Sequence, residues 1–149
     1  MKITEALMAE HTIFLTVFDQ IEKVLPSLST PTEIRTMAHL VEGLLVEHAG
    51  TESDLAYLAL DHALAHKGHL DRMHQDHHEI DGQFRKVHSA GTCSEGRRLL
   101  KGALSAAREH FRVEEKGVFP LLEKTLQPAT LKELGQVWLK RNAEAGARK

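Results

Sequence analysis

The chain has 149 residues, of which 42 % are hydrophobic and 27 % charged, and its formal net charge is −2. This length suits one domain with a substantial core, so we predict a single domain over residues 1–149. The nearly balanced charge gives no electrostatic reason to expect nucleic acid or an anionic membrane as a partner. The first eleven residues carry acids and no long apolar run, which indicates neither a signal peptide nor a membrane span. With Cys93 as the single cysteine, a reducing compartment fits, and we expect a cytoplasmic protein.

Apolar residues at helical spacing recur through the chain, and neither strand-type alternation nor hairpin turn signals interrupt them. Residues 30–33 (TPTE) form a capping box with proline at the first helical position, which predicts a helix start. Residues 130–133 (TLKE) are interpreted as a second capping box. Pro120 lacks an N–H, so we expect a kink or break near residues 115–119. The predicted helices cover about 5–25, 31–64, 69–88, from 95 onward, and 131–141.

An acid followed by a histidine occurs in four separated segments: Glu10-His11, Glu47-His48, Asp76-His77 and Glu109-His110. In two of them a glutamate follows four residues after the histidine, at Glu52 and Glu114. Positions i and i+4 of a helix lie on one face, about 6 Å apart along the axis, so each H-x3-E pair can offer an imidazole and a carboxylate to one point. Both pairs lie on apolar helix faces, where buried histidine and glutamate need compensation. A metal ion supplies that compensation.

The four segments also form an internal repeat. A shift of 66 residues places His11 on His77, and a shift of 62 places one H-x3-E pair on the other. The chain therefore reads as two αα-hairpins, each with one histidine-bearing helix and one H-x3-E helix. We predict an all-α fold in which an antiparallel up-down four-helix bundle, over about residues 4–126, brings these residues inward at one level. The short fifth helix at about 131–141 is expected to cover one end with Leu134, Trp138 and Leu139.

The third helix offers three adjacent histidines. His77 shares the acid-histidine phrase and lies on the inward stripe, and His74 lies one turn earlier on that stripe, so both are predicted to be ligands. His78 falls on the polar face and is expected to be exposed. On the fourth helix Glu115 competes with Glu114, and the exact repeat of H-x3-E favours Glu114. The predicted metal ligands are His11, His48, Glu52, His74, His77, His110 and Glu114.

Other polar residues are interpreted without a ligand role. The four acids that precede the ligand histidines turn about 100° away from them, and either accept ring N–H groups from neighbouring helices or are exposed charges. His62, His66 and His69 fall at a helix connection and are expected to be solvated. Cys93 lies in a Gly/Ser loop with no partner pattern for nucleophilic chemistry.

These segments resemble the hemerythrin-type domain, the HHE cation-binding family. The stretches EHTIF, EHAGTESDL, DHHEI and EHFRVEEKGVFP carry the resemblance, which covers about residues 4–126. It implies an up-down four-helix bundle that holds two non-haem iron ions joined by an oxo or hydroxo bridge. It further implies that the histidines of the four phrases, His11, His48, His77 and His110, are ligands and that Glu52 and Glu114 are bridging carboxylates.

The sequence departs from the oxygen-carrying hemerythrins on the third helix, where those proteins have H-x3-H. Here the residue four before His77 is Met73. The departure favours the broader family, which is linked to oxygen, nitric oxide or iron handling. If His74 is a fifth histidine ligand, two octahedral irons keep one open position. Without His74 they keep two, which favours redox chemistry.

We expect a di-iron protein that binds O2 or a related small oxidant, such as NO or peroxide, for sensing, storage or scavenging. One alternative is a di-iron oxidoreductase acting on peroxide or NO, or an iron-donating repair factor. Another is a zinc-stabilised helical interaction module, because imidazole and carboxylate ligands also accept zinc and manganese. The sequence names no protein partner.

Overall fold

The computed structural model describes residues 1–64, 68 and 70–147, with side chains up to residue 144. The described residues are helical and contain no strand, which confirms the all-α prediction. The α-helices are α1 Ile3–Val24, α2 Pro31–Thr51, α3 Leu58–Ala63, α4 Asp71–His88, α5 Cys93–Val113, α6 Phe119–Thr125 and α7 Pro128–Ala147. A 3-10 turn, Leu25–Ser27, follows α1. Two π-helical segments, π1 Glu52–Tyr57 and π2 Glu114–Val118, join α2 to α3 and α5 to α6.

Short side-chain caps explain where α2 and α5 begin. Thr30 accepts a hydrogen bond from the Glu33 N–H at 3.2 Å, and the Glu33 carboxylate accepts the Thr30 N–H at 2.9 Å. The predicted capping box is thus confirmed. Thr92 accepts the Glu95 N–H at 3.2 Å, so α5 begins two residues before the predicted start. The predicted start of the third helix, at about 69, lies outside the described residues, as do His66 and His69.

The four long helices α1, α2, α4 and α5 form the bundle, joined in pairs by short connections that suit antiparallel neighbours. The bundle core consists of two apolar clusters. One gathers Phe14, Phe18, Phe84, Leu104 and Phe111 with their neighbours, and the other gathers Leu7, Tyr57, Met73, Phe119 and Leu122 with theirs. Together with π1 and π2, which continue α2 and α5, each of the four helices passes from one cluster to the other. The point of crossing is where the sequence places its acid-histidine phrase.

Both H-x3-E helices change to π geometry at their glutamate. The Phe119 N–H bonds to the Glu114 carbonyl five residues back, and Pro120 has no N–H with which to continue an α-helical ladder. The helix therefore does not break near residues 115–119 but continues through a π-helical segment into α6. In π1 the Leu58 N–H reaches the Ser53 carbonyl in the same way, although no proline is present. The extra residue in the turn lets consecutive side chains, Leu55, Ala56 and Tyr57, all be buried.

The C-terminal helix is longer than the short helix predicted at 131–141. It begins at Pro128, and the predicted capping box at 130–133 lies inside its first turns. It packs along α1, where Leu131 is buried and Trp138 contacts the second apolar cluster. Leu139 is 48 % exposed, so its predicted place over the bundle end is wrong. A Cβ at Gly135 would lie 2.3 Å from the Met1 carbonyl oxygen, so only glycine permits this close approach.

None of the helices in the described part of the chain combines the length and the apolar character needed to cross a membrane.

Candidate metal centre

Six of the seven predicted site residues meet in the layer between the two apolar clusters. Their nitrogen and oxygen atoms form two groups, in each of which all ligand atoms lie within 4.8 Å of one another. The groups are His11, His48, Glu52 and Glu114, and Glu52, His77, His110 and Glu114. Below, His11 and His48 are called the inner pair, and His77 and His110 the outer pair. The two carboxylates belong to both groups, which is the arrangement that a dinuclear centre requires.

The imidazole nitrogens of each pair point at one another. The two Nε2 atoms are 3.0 Å apart in the inner pair and 2.8 Å apart in the outer pair. A six-coordinate ion with ligand atoms about 2.1 Å away places neighbouring ligand atoms about 3.0 Å apart. The spacing in both pairs therefore fits two imidazoles on one ion.

The carboxylates lie between the pairs. Glu52 Oε1 is 3.1 Å from His48 Nε2, and Glu52 Oε2 is 3.4 Å from His77 Nε2. Glu114 Oε2 is 3.4 Å from the Nε2 atoms of both His11 and His110. The two oxygens of Glu52 thus face different pairs, and one oxygen of Glu114 faces both.

Carboxylates behind the inner pair fix which ring nitrogen faces the centre. Glu10 Oε2 lies 2.8 Å from His48 Nδ1, and Glu115 Oε1 lies 3.0 Å from His11 Nδ1. An ionised carboxylate only accepts, so each Nδ1 carries a proton and a neutral ring presents the lone pair of Nε2 to the centre. Two such lone pairs 3.0 Å apart repel each other unless a proton or a metal ion lies between them.

The outer pair lacks this backing. Asp76 Oδ2 is 3.7 Å from His110 Nδ1, and among the described residues this nitrogen has no hydrogen-bond partner. Of the four acids that precede the site histidines, only Glu10 accepts a ring N–H within the described part of the chain. Glu47 and Glu109 are exposed.

Burial of the two carboxylates creates the electrostatic demand of the site. Glu52 and Glu114 are both 0 % exposed. Both oxygens of Glu52 and Oε2 of Glu114 accept no hydrogen bond from any described residue. Several kcal/mol of desolvation cost per buried ion, as an order of magnitude, must be offset by a cation.

In the absence of a metal, the inner pair acts as that cation. Burial alone would lower the pKa of His11, but the carboxylates of Glu114 and Glu52 outweigh it and raise the pKa to about 9. Burial is likewise opposed at His48 by Glu52 and Glu10, which raise its pKa to about 10. The inner pair therefore holds protons at neutral pH in the positions where a metal ion would bind.

The pKa values of His110, Glu114 and Glu52 are shifted in other ways. Burial and the charge of His77 lower the pKa of His110 to about 3. Burial and the charge of Glu52 raise the pKa of Glu114 to about 7. Burial also works to raise the pKa of Glu52, but His48 and its neighbours hold it well below its usual range. Glu52 therefore stays ionised at neutral pH, Glu114 is partly protonated there, and His110 is neutral.

Sequence reasoning assigned no role to Tyr57, yet its side chain reaches the centre. Its hydroxyl donates a hydrogen bond to Glu114 Oε1, and its ring stacks on His77 with centroids 5.8 Å apart. Burial, together with the charges of Glu52 and Glu114, raises the pKa of the hydroxyl far above its usual range, so it stays a donor. The sequence feature that could have drawn attention to Tyr57 is the internal repeat, in which a shift of 62 residues places Tyr57 on Phe119.

His74 is the predicted site residue that the structure does not bring into either group. It is half-buried, and its ring lies edge-on to the Tyr57 ring at 5.3 Å. The residue one full turn before His77 is Met73, which is buried in the second apolar cluster. His78 is exposed, as predicted. Glu115 lies outside both groups, behind His11, whereas Glu114 belongs to both.

Helix α7 is connected to the centre through one residue. The Trp138 indole N–H donates to Glu10 Oε1 at 3.3 Å, and the other oxygen of Glu10 accepts from His48. The C-terminal helix therefore helps to orient an inner-pair imidazole.

A small cavity of about 20 Å³ borders the centre between His48, His77 and His110. Its other walls include the apolar side chains Leu45, Ala49, Ile80, Ala107 and Phe111. A space of about this size holds one water-sized molecule. Asp81 also lines the cavity, so the space beside the outer pair is mainly but not wholly apolar.

The model of the hemerythrin HHE cation binding domain matches residues 2–129, which include all the residues of both groups. The chain belongs to the hemerythrin HHE family. The family is named for cation binding, and the buried histidine and glutamate cluster of this hemerythrin domain fits a metal site. Searches of curated proteins and of solved structures found no match. Most of α7 lies beyond the matched region.

Proposed function

We propose that this hemerythrin domain holds two iron ions and binds O2 or a related small oxidant, NO or peroxide, for sensing, storage or scavenging. The observation that carries the proposal is that two groups of ligand atoms share Glu52 and Glu114. The unpartnered buried oxygens of these carboxylates and the converging Nε2 atoms fit a pair of cations. Nitrogen and oxygen ligands together suit iron, while zinc and manganese are the competing ions.

In this proposal the inner pair would hold one ion, the outer pair would hold the other, and Glu52 and Glu114 would be shared between them. Iron, when bound, supplies the reversible oxidation that small-oxidant chemistry needs. Glu10 and Glu115 keep the inner imidazoles in the tautomer that coordinates through Nε2. Tyr57 holds Glu114 by its hydroxyl, and the mainly apolar cavity lies beside the position that the outer ion would take.

The position of His74 supports a second candidate, a di-iron oxidoreductase acting on peroxide or NO. The six side chains of the two groups supply eight metal bonds if each glutamate bridges, which leaves four of the twelve bonds of two octahedral ions to non-protein ligands. With His74 as a ligand only three would remain. The additional free position favours turnover over simple binding.

We further propose that residues 1–149 act as one unit in the cytoplasm. Support for one unit comes from α7, which packs on α1 and contributes Trp138 to the centre. The location rests on the single cysteine, Cys93, which fits a reducing compartment.

The test is elemental analysis of anaerobically purified protein, followed by its optical spectrum as air is admitted. Dinuclear carboxylate bundles bind about two irons per chain, and a near-ultraviolet absorption that reverses on removal of oxygen is the result expected of a binder. Irreversible oxidation with turnover of peroxide or NO would favour the oxidoreductase. One zinc per chain, or iron retained equally by Glu114→Ala and by the exposed-residue control Glu109→Ala, would contradict the di-iron centre.

A further inference from the structure

A second group of metal-ligating side chains lies on the surface of the bundle. His39 and Glu42 of α2 and His88 of α4 each place one ligand atom within 4.8 Å of the others. His88 Nε2 is 2.8 Å from Glu42 Oε2, and His39 Nδ1 is 3.7 Å from the same oxygen. The family comparison and the centre described above leave this group without a role.

The surface group is well separated from the centre. His39 precedes His48 by nine residues on α2, about 13 Å along the helix axis. His88 follows His77 by eleven residues on α4, about 16 Å along that axis. The two sets of ligands therefore cannot share an ion.

The spacing of the three ligand atoms suits a tetrahedral ion. With ligand atoms about 2.0–2.1 Å from the ion, neighbouring ligands are about 3.3 Å apart. The two measured separations, 2.8 and 3.7 Å, lie on either side of that value. The His39 side chain is 83 % exposed, so small rotations can close the remaining difference and a fourth position faces water.

The alternative is an ion pair between His88 and Glu42 alone. That contact explains the 2.8 Å distance but leaves out His39, which lies three residues before Glu42 on α2 with its ring edge-on to the His88 ring at 5.9 Å between centroids. Two imidazoles and one carboxylate are a donor set that borderline divalent cations prefer. An ion cross-links two helices when each helix supplies at least one ligand, and here α2 and α4 both do so.

We propose that His39, Glu42 and His88 form a mononuclear surface site for a borderline divalent cation such as Zn²⁺, which ties α2 to α4. The same two helices carry His48 and His77, so an ion here clamps one end of the helix pair that holds the centre at its middle. The ion binds the folded chain and stabilises it by mass action. The proposal does not depend on the identity of the metals in the centre.

The experiment is calorimetric titration of Zn²⁺ into the full chain and three variants, His88→Ala, His39→Ala and the control His78→Ala. His78 is an exposed histidine of α4 outside the group. We expect the wild type and His78→Ala to bind one Zn²⁺ more than His88→Ala and His39→Ala. Equal stoichiometry in the wild type and His88→Ala would overturn the proposal.

A second set of measurements distinguishes loss of the surface site from misfolding of the variants. The replaced side chains are exposed or half-buried, so circular dichroism should be unchanged and the metal content of the buried centre, whichever metal it holds, should be the same in all four proteins. Zn²⁺ should raise the thermal unfolding midpoint of the wild type and the control, but not of the two site variants. An equal shift in all four proteins would place the zinc elsewhere and refute the site.

Discussion

The inner and outer pairs of histidines are related by the repeat of the chain, but the fold has built them differently. His11 and His48 are buried, at 0 and 3 % exposure, and a carboxylate holds the Nδ1 of each. His77 is 14 % exposed, His110 Nδ1 has no partner among the described residues, and the apolar cavity adjoins both. The inner pair is arranged to hold a cation tightly, and the outer pair to leave room beside one. A centre that binds a small ligand needs both properties in different places.

Removal of a carboxylate common to both pairs should have the largest effect. In the proposed dinuclear centre Glu52→Ala would take one ligand from each ion, so we expect loss of both metals, measured by elemental analysis after desalting. Glu47→Ala replaces an exposed acid of α2 and is the matched control, which should keep full metal content. Retention of one metal by Glu52→Ala would show that the two halves are independent.

The second largest effect should be the pH dependence of metal affinity, which should differ between the inner and the outer pair. Because the pKa values of His11 and His48 are raised to about 9 and 10, a metal entering the inner pair displaces two protons at neutral pH. The apparent affinity of the inner pair for the metal should fall about a hundredfold for each unit by which pH drops below 9. The lowered pKa of His110, about 3, means that this ring adds no proton competition there.

Calorimetry in buffers of different ionisation enthalpy measures this proton release directly. About two protons per inner ion are expected at pH 7. Binding of the first metal without proton release would contradict the protonated inner pair.

The two pairs should also differ in what they contribute to the metal-free fold. His11 is 0 % exposed, and its ring stacks on Phe111 with centroids 3.9 Å apart. His11→Ala leaves a cavity and unpaired buried carboxylates, which should cost about 3 kcal/mol of unfolding free energy. His77→Ala, nearer the surface, should cost about 1 kcal/mol or less. Urea denaturation of the two metal-free variants measures their unfolding free energies. Equal losses of stability would contradict the expected difference between the pairs.

The smallest effect should come from the carboxylates behind the rings. Glu10→Gln and Glu115→Gln replace the charged acceptors of the inner Nδ1–H groups by neutral amides. Changes of this kind behind ligand histidines typically weaken metal binding about 10- to 100-fold. Asp76→Asn, 3.7 Å from His110 Nδ1, should change affinity by less than about threefold. Competition with a chelator measures all three. A loss in Asp76→Asn as large as in Glu10→Gln would remove the distinction between the pairs.

The repeat made most of the candidate centre predictable. Because i and i+4 share a helix face, the two H-x3-E pairs had to face inward together, and the structure brings both into one layer. Helix phase could not decide between His74 and Met73, which are adjacent and both near the inward stripe. Packing decided it, since burial of Met73 in the apolar cluster turns His74 toward the Tyr57 ring.

Local periodicity by itself determined the all-α fold, the start of α2, and the identity of the histidines and glutamates that meet in the bundle, because each depends on residues close together in the chain. The tertiary structure alone decided three other features. It placed π1 at Glu52 without a proline, which let Tyr57 reach Glu114. It extended α7 along α1 and set Trp138 against Glu10. It gave the inner pair its carboxylate backing, because contacts between distant helices depend on how their faces pack rather than on any spacing within one of them.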